Sequence, residues 1–211
     1  MNRGLEDPIG FWEQRHAALD PWASGGDRGL STAENHEFYA FRLGRIIELV
    51  RRHAGSERGR RILDAGCGRG HFTDGMRRCG HRVTGIDTSA TAIAWATENY
   101  GPHFQQSSLH EYRPRSLFDV VLCIDVLFHV LDDELWRASL EAFGRAAAAE
   151  SFLLITDAFG PRRFPLGNYI VHRSADEYDR VLLDLDFRRC ELIPYHFGSN
   201  PNQFAAYCRA V

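Results

Sequence analysis

The chain has 211 residues, 44% hydrophobic and 25% charged, with a formal net charge of −3. That is the size and apolar content of one globular domain with a sizeable core. The small net charge gives no global basic field to recruit nucleic acid, and no apolar run approaches the roughly 18 residues that would span a membrane.

The opening stretch MNRGLEDPIGFWEQ lacks the apolar core of a signal peptide. Through residue 30 the chain is rich in aromatics and glycine, with room for a short helix and a turn at SGGD. STAE (31–34) matches a capping box and predicts a helix in which Leu43, Ile46, Ile47 and Val50 share one face. From residue 60 strands and helices alternate. RRILDAG, HRVTGID, HFQQSS, FDVVLCID and SFLLITDAF read as strands. HFTDGMRRCG, SATAIAWATENY and DDELWRASLEAFGRAAAA read as the helices between them. Such alternation implies βαβ units in a parallel sheet. GPRRFPLGNYIVHR reads as an irregular loop, and SADE (174–177) as a second capping box opening a helix. RCELIPYHF and QFAAYCRAV, joined by the turn-rich GSNPN, read as an antiparallel closing pair. The five cysteines, Cys67, Cys79, Cys123, Cys190 and Cys208, form no CxxC pair. Their odd number and spacing point to free thiols in a reducing compartment, and the expected location is cytoplasmic.

The segment ILDAGCGRGHFT (62–73) carries the chemistry. A strand, a glycine-rich turn and a helix bring backbone close to a ligand. The spacing is G-x-G-x-G, with His71 where the third glycine of a dinucleotide site would fall. Asp64 ends the strand before the turn, where a carboxylate suits an ammonium group better than a pyrophosphate. Asp87 ends the second strand, placed to accept both hydroxyls of a ribose. A ribose, a cation and no required phosphate together describe S-adenosylmethionine.

ILDAGCGRGHFT followed by VTGIDTS resembles the cofactor signature of class I S-adenosylmethionine-dependent methyltransferases, and FDVVLCIDVLFHVLDDELW resembles their fourth-strand segment. The resemblance runs from about residue 60 to the end of the sequence. It implies an α/β, Rossmann-like fold: a seven-stranded, mostly parallel sheet with helices on both faces and an antiparallel last strand. It divides the chain into an N-terminal helical segment and candidate lid (1–58) and an S-adenosylmethionine-binding domain (59–211). It places Asp64, Gly66, Cys67, Gly68 and Gly70 at the methionine end, Asp87 and Thr88 at the ribose, Ser107, Ser108 and Leu109 near the adenine, and Ile124 and Asp125 beside the sulfonium. Cys67 belongs to the packed loop and is not a nucleophile.

His129 lies in the loop after the fourth strand, where imidazole could take a proton from an acceptor, or could pack the cofactor or cap the next helix. It is the first candidate base and Asp125 the second. Phe11, Trp12, Trp22, Phe38 and Tyr39 read either as core for an added helix or as a lid. The loop with Arg162, Arg163, Phe164, Asn168, Tyr169, His172 and Arg173 is a candidate acceptor wall, or solvated arginine. IDVL stands where base- and glutamine-methylating relatives carry an NPPY-like tetrad, and no Pro-Cys pair marks a cytosine nucleophile. The histidines show no metal-ligand spacing. The expected reaction is methyl transfer from S-adenosylmethionine to a hydroxyl or amine of a small molecule (a natural product, sugar or metabolite), with S-adenosylhomocysteine as product, no metal, no nucleic acid and no membrane partner. A non-catalytic cofactor-binding subunit of the same fold is the competing reading. It would lack an acceptor pocket.

Overall fold

The structure, a computed structural model, describes residues 7–209. The elements in chain order begin with α1 (Pro8–Ala18), α2 (Pro21–Ser24) and α3 (Thr32–His53). Then follow β1 (Arg61–Ala65), α4 (His71–Arg78), β2 (Arg82–Asp87), α5 (Ala90–Tyr100), β3 (Phe104–Gln106) and β4 (Phe118–Cys123). A 3-10 turn (Leu127–His129) leads to α6 (Asp133–Ala146), β5 (Ala147–Asp157), β6 (Phe164–Leu166), β7 (Ile170–His172), α7 (Ala175–Leu183), β8 (Phe187–Pro194) and β9 (Gln203–Arg209).

Seven strands form one sheet in the order β3-β2-β1-β4-β5-β9-β8. β1 to β5 pair in parallel, while β9 runs antiparallel to both β5 and β8. The strand order reverses between β1 and β4, so the crevice at their C-terminal ends is where such a sheet binds ligands.

The central strands are apolar on both faces because both are covered. Leu63, Val121, Cys123, Leu153 and Ile155 pack toward Trp136, Leu140 and Phe143 of α6 and Tyr178 and Val181 of α7. Their neighbours Ile62, Val120, Leu122 and Leu154 face the other way, onto Phe38, Ile46, Leu49 and Val50 of α3 and Phe72 and Met76 of α4. Both capping boxes form: Ser31 with Glu34 opens α3, and Ser174 with Glu177 opens α7.

Two segments differ from the sequence reading. GPRRFPLGNYIVHR is not irregular: β6 and β7 form a small antiparallel hairpin turning at Gly167, whose φ is +64°. Pro165 and the three-residue strands hide it from a pattern reading. Ala147–Ala149 belong to β5 rather than α6, because Ala147 pairs with Phe118 in the sheet. Alanine favours helix, and this tertiary pairing overrides it.

Candidate active site

β1 runs into the glycine turn. Gly66 has φ +81°, and a Cβ there would lie 2.4 Å from Val126 Cγ2, so no larger residue fits. Gly68, at φ +51°, needs glycine for its backbone alone. The Gly66 and Cys67 N–H groups donate to the Ile86 carbonyl at 2.8 and 2.9 Å, tying the turn to β2. The Asp87 carboxylate finishes the tie, accepting from Gly68 N–H and Ser89 N–H, both at 2.9 Å. Burial raises its pKa, opposed by these backbone donors. Asp64 stands behind the turn, 1% exposed, and accepts from Thr73 Oγ1 at 2.6 Å. Burial pushes it up to about 6.

A cavity of about 120 Å³ opens against this turn. The structure brings Gly66, Cys67, Gly68, Asp87, Thr88, Leu109, Ile124, Asp125 and His129 to its wall. Asp64 and Gly70 do not reach it. The serine on the wall is Ser107; Ser108 turns away and donates to Glu111 at 2.5 Å.

The N-terminal aromatics form the roof, including several groups the sequence did not single out as cofactor contacts. Trp12, His16, Tyr39 and Arg42 line the cavity with His71 and Phe72. Trp22 stacks on His71, ring centroids 4.0 Å apart. Glu13 of α1 accepts from Ser89 Oγ at 2.6 Å and Thr91 N–H at 3.2 Å, gripping the start of α5. Arg69, inside the glycine turn, donates to the His16 carbonyl. Burial, with Arg69 and Arg15 nearby, pushes His16 down to about 4, and burial does the same to His71.

A second cavity, of about 270 Å³, shares Trp12, Gly25, Arg42, Asp125 and His129 with the first. Asp125 sits at the junction with φ +58°, a left-handed backbone that a short polar residue tolerates. Its carboxylate takes Arg42 at 2.5 Å, and Thr156 Oγ1, Tyr195 Oη and Asn202 Nδ2, each at 3.0 Å. Its own N–H donates to Thr156 Oγ1 at 2.6 Å. Side chains from four other parts of the chain therefore converge on one carboxylate. Arg42 is 2% exposed and lies over the Phe38 and Tyr39 rings, 3.9 and 4.3 Å from their centroids.

His129 donates from Nδ1 to the Tyr169 carbonyl at 3.0 Å and stands edge-on to Trp12 at 4.7 Å. The carbonyl fixes the tautomer, leaving the Nε2 lone pair available. Burial pushes His129 down to about 4, so its imidazole is neutral around pH 7. Of the loop proposed as acceptor wall, Tyr169 and His172 line the second cavity. Its arginines do not: Arg163 pairs with Asp133 and Glu177, and Arg173 is buried against Asp133. Among the described residues no group of His, Cys, Asp and Glu is arranged to hold a metal ion, and no helix is long and apolar enough to cross a membrane.

The strand order, the glycine turn answered by Asp87 and the crevice at the switch point define the class I methyltransferase architecture. The comparisons agree: residues 38–195 match the family model described as a methyltransferase domain, and the chain belongs to that family, whose class I members use S-adenosylmethionine. It is similar to the ubiquinone biosynthesis O-methyltransferase of Rickettsia bellii, 33% identical over 114 residues, which is 52% of this chain and 46% of that protein. The chain spans about half the length of the curated relatives it matches. Its fold is shared with magnesium protoporphyrin IX methyltransferase from Synechocystis, solved with bound S-adenosylmethionine (TM-score 0.75, 18% identity, 100% of each chain). It is shared too with 1,6-didemethyltoxoflavin-N1-methyltransferase from Burkholderia thailandensis, solved with 1,6-didemethyltoxoflavin and S-adenosylhomocysteine (TM-score 0.71, 16% identity, 100% of this chain and 94% of that one).

Proposed function

We propose that this chain transfers a methyl group from S-adenosylmethionine to a hydroxyl or amine of a small molecule. The observation that carries the reading is the shared wall: the glycine-turn cavity and a second cavity meet at Arg42, Asp125 and His129. The second cavity also speaks against a cofactor-binding subunit without chemistry, which would have no need of an acceptor pocket.

The residues present fit the cofactor. Asp87 offers carboxylate oxygens for the ribose hydroxyls, Leu109 and Ile124 offer apolar surface to a flat base, and Gly66, Cys67 and Gly68 form the wall for the amino-acid end. Thr88 and Ser107 line the pocket and Gly70 and Asp64 back the turn, while Ser108, turned to Glu111, stands outside the set. Bound there, S-adenosylmethionine supplies a methyl group activated by its sulfonium centre. The chain's own work is then to hold the acceptor in line, exclude water and remove a proton. His129 Nε2 would take the proton that the acceptor hydroxyl or amine loses on methylation, the methyl–sulfonium bond breaking to leave S-adenosylhomocysteine. Asp125 already accepts from four side chains, which leaves its oxygens little capacity for an acceptor's proton. Its part is to lock the junction around the reacting atoms.

Within the N-terminal segment 1–58, α1 acts as the lid, supported by the grip of Glu13 on the start of α5 and of Arg69 on α1, while α3 packs into the core of the catalytic domain 59–211. The free cysteines fit a cytoplasmic protein, and the net charge of −3 fits a small-molecule partner better than a nucleic acid.

Calorimetric titration with S-adenosylhomocysteine tests the reading. Wild type binds in the micromolar range and Asp87→Ala loses at least about tenfold in affinity, the worth of one charge-assisted hydrogen bond. No binding by wild type would remove the cofactor assignment.

A further inference from the structure

The second cavity contains an ordered imidazole that the reaction above does not use. His172, at the end of β7, is 2% exposed and lines this cavity but not the first. Its Nδ1 meets Asp157 Oδ1 at 2.6 Å. Asp157 ends β5, is 0% exposed, and has both oxygens engaged. Oδ1 also accepts from Ala158 N–H at 2.6 Å, and Oδ2 accepts from Tyr178 Oη at 2.7 Å and Arg173 N–H at 3.4 Å. The carboxylate can hardly serve a ligand as well. What it does is fix His172: a carboxylate accepting the Nδ1 proton sets the tautomer and aims the Nε2 lone pair away from itself. That Nε2 has no hydrogen-bond partner among the described residues. The rings of Phe128 and Phe164 hold the imidazole, centroids 5.1 and 4.7 Å away.

Two further observations concern the same cavity. Asn202 Oδ1 is buried and unpartnered, while Asn202 Nδ2 is spent on Asp125. Five aromatics, Phe11, Trp12, Phe38, Phe128 and Tyr169, share the wall with Arg15, Asp27, Arg28, Asn200 and the Arg42–Asp125 pair. Their ring faces suit a flat ring system that carries polar substituents. Both orphaned atoms are acceptors, so what they lack is a donor. His129 marks the cavity's junction with the cofactor pocket and His172 lies beyond it, with the Phe128 ring packed against both.

We propose that His172, oriented by Asp157, binds a hydroxyl on a planar aromatic acceptor at a position remote from the methylated atom, and so selects which acceptor group faces the methyl. This rests on the second cavity being the acceptor site. An acceptor without the remote hydroxyl covers the Nε2 lone pair and gives no donor in exchange for solvent, and sites built to bond a hydroxyl reject analogues that lack it.

Dihydroxynaphthalenes and the corresponding naphthols are the probes, titrated into protein saturated with S-adenosylhomocysteine. Binding is read by calorimetry and by the imidazole 15N resonances of histidine-labelled protein. At least one dihydroxynaphthalene binds about tenfold or more tightly than its naphthol, and only it shifts the His172 Nε2 resonance. His172→Leu erases the preference and keeps affinity for S-adenosylhomocysteine. His172→Gln, which keeps a polar group in the same space, repeats the experiment if the leucine variant melts early. Equal binding of diol and naphthol, no arene binding by cofactor-loaded protein, an unmoved Nε2 resonance, or a preference that survives His172→Leu would each overturn the proposal. Failure to bind S-adenosylhomocysteine would instead overturn the methyltransferase reading, and the acceptor site with it.

Discussion

His129 is a base made weak and neutral by burial. With its pKa near 4 rather than the ordinary 6.5, it stays ready to accept a proton across the whole neutral range. The rate profile follows: kcat/KM is set by the acceptor near neutrality and falls with acidification only as pH approaches about 4. A limb at the ordinary imidazole value would show that His129 is not the proton acceptor. His129→Gln lowers kcat by about 100-fold or more with the affinity for S-adenosylhomocysteine nearly unchanged, measured by product release and calorimetry. The Arg42–Asp125 pair makes a different kind of prediction. Arg42→Met leaves a carboxylate at the junction without its guanidinium and costs about 3 kcal/mol of stability. Adding Asp125→Asn recovers part of that loss, and a denaturant double-mutant cycle measures the coupling. At this scale the sequence is legible where residue type and chain position suffice, as for Gly66, Gly68 and Asp87. It is silent where the partner is remote: 83 positions separate Arg42 from Asp125, and an arginine on an otherwise apolar helix face reads as solvated. The same holds for Asp157 and His172, which only the hairpin β6–β7 brings together.

Among elements, α1 is attached to the site by side chains rather than by a large apolar face. Its grip is Glu13 on Ser89 and Thr91, and the Arg69 bond to the His16 carbonyl. Glu13→Ala therefore loosens the roof and leaves the sheet intact. We expect faster amide exchange across α1 and a severalfold faster release of S-adenosylhomocysteine by stopped flow, about 1 kcal/mol for the lost bonds. Unchanged exchange in α1 would remove its role as a lid. Secondary structure was readable wherever caps and periodicity agree, as at Ser31–Glu34 and Ser174–Glu177. It was unreadable where short strands carry a proline or where alanines are recruited to the N-terminal end of β5.

For the molecule as a whole, stability and site share the same buried histidines. His16, His71 and His129 each sit near pKa 4 when folded, so the unfolded chain binds more protons between about pH 6.5 and 4. Their contribution is full above the unfolded value and is lost as pH falls through the folded one. Asp64, raised to about 6, and Asp87, also raised, act in the opposite sense. Glu13, Asp20 and Glu191, carboxylates held below their ordinary values by hydrogen bonds, lose stabilisation together with the histidines on acidification, and the melting temperature falls as pH drops from 6.5 toward 4. A melting temperature that rises over that range would contradict the burial of these imidazoles.

The architecture itself joins these scales: a parallel sheet reverses its order between β1 and β4, and the two cavities meet at the crevice this creates. A crystal structure of the protein with S-adenosylhomocysteine tests that arrangement most directly. The ribose is expected on Asp87 and the sulfur at the wall formed by Trp12, Arg42, Asp125 and His129, facing the second cavity. A ligand bound elsewhere, or a sulfur closed off from that cavity, would contradict it.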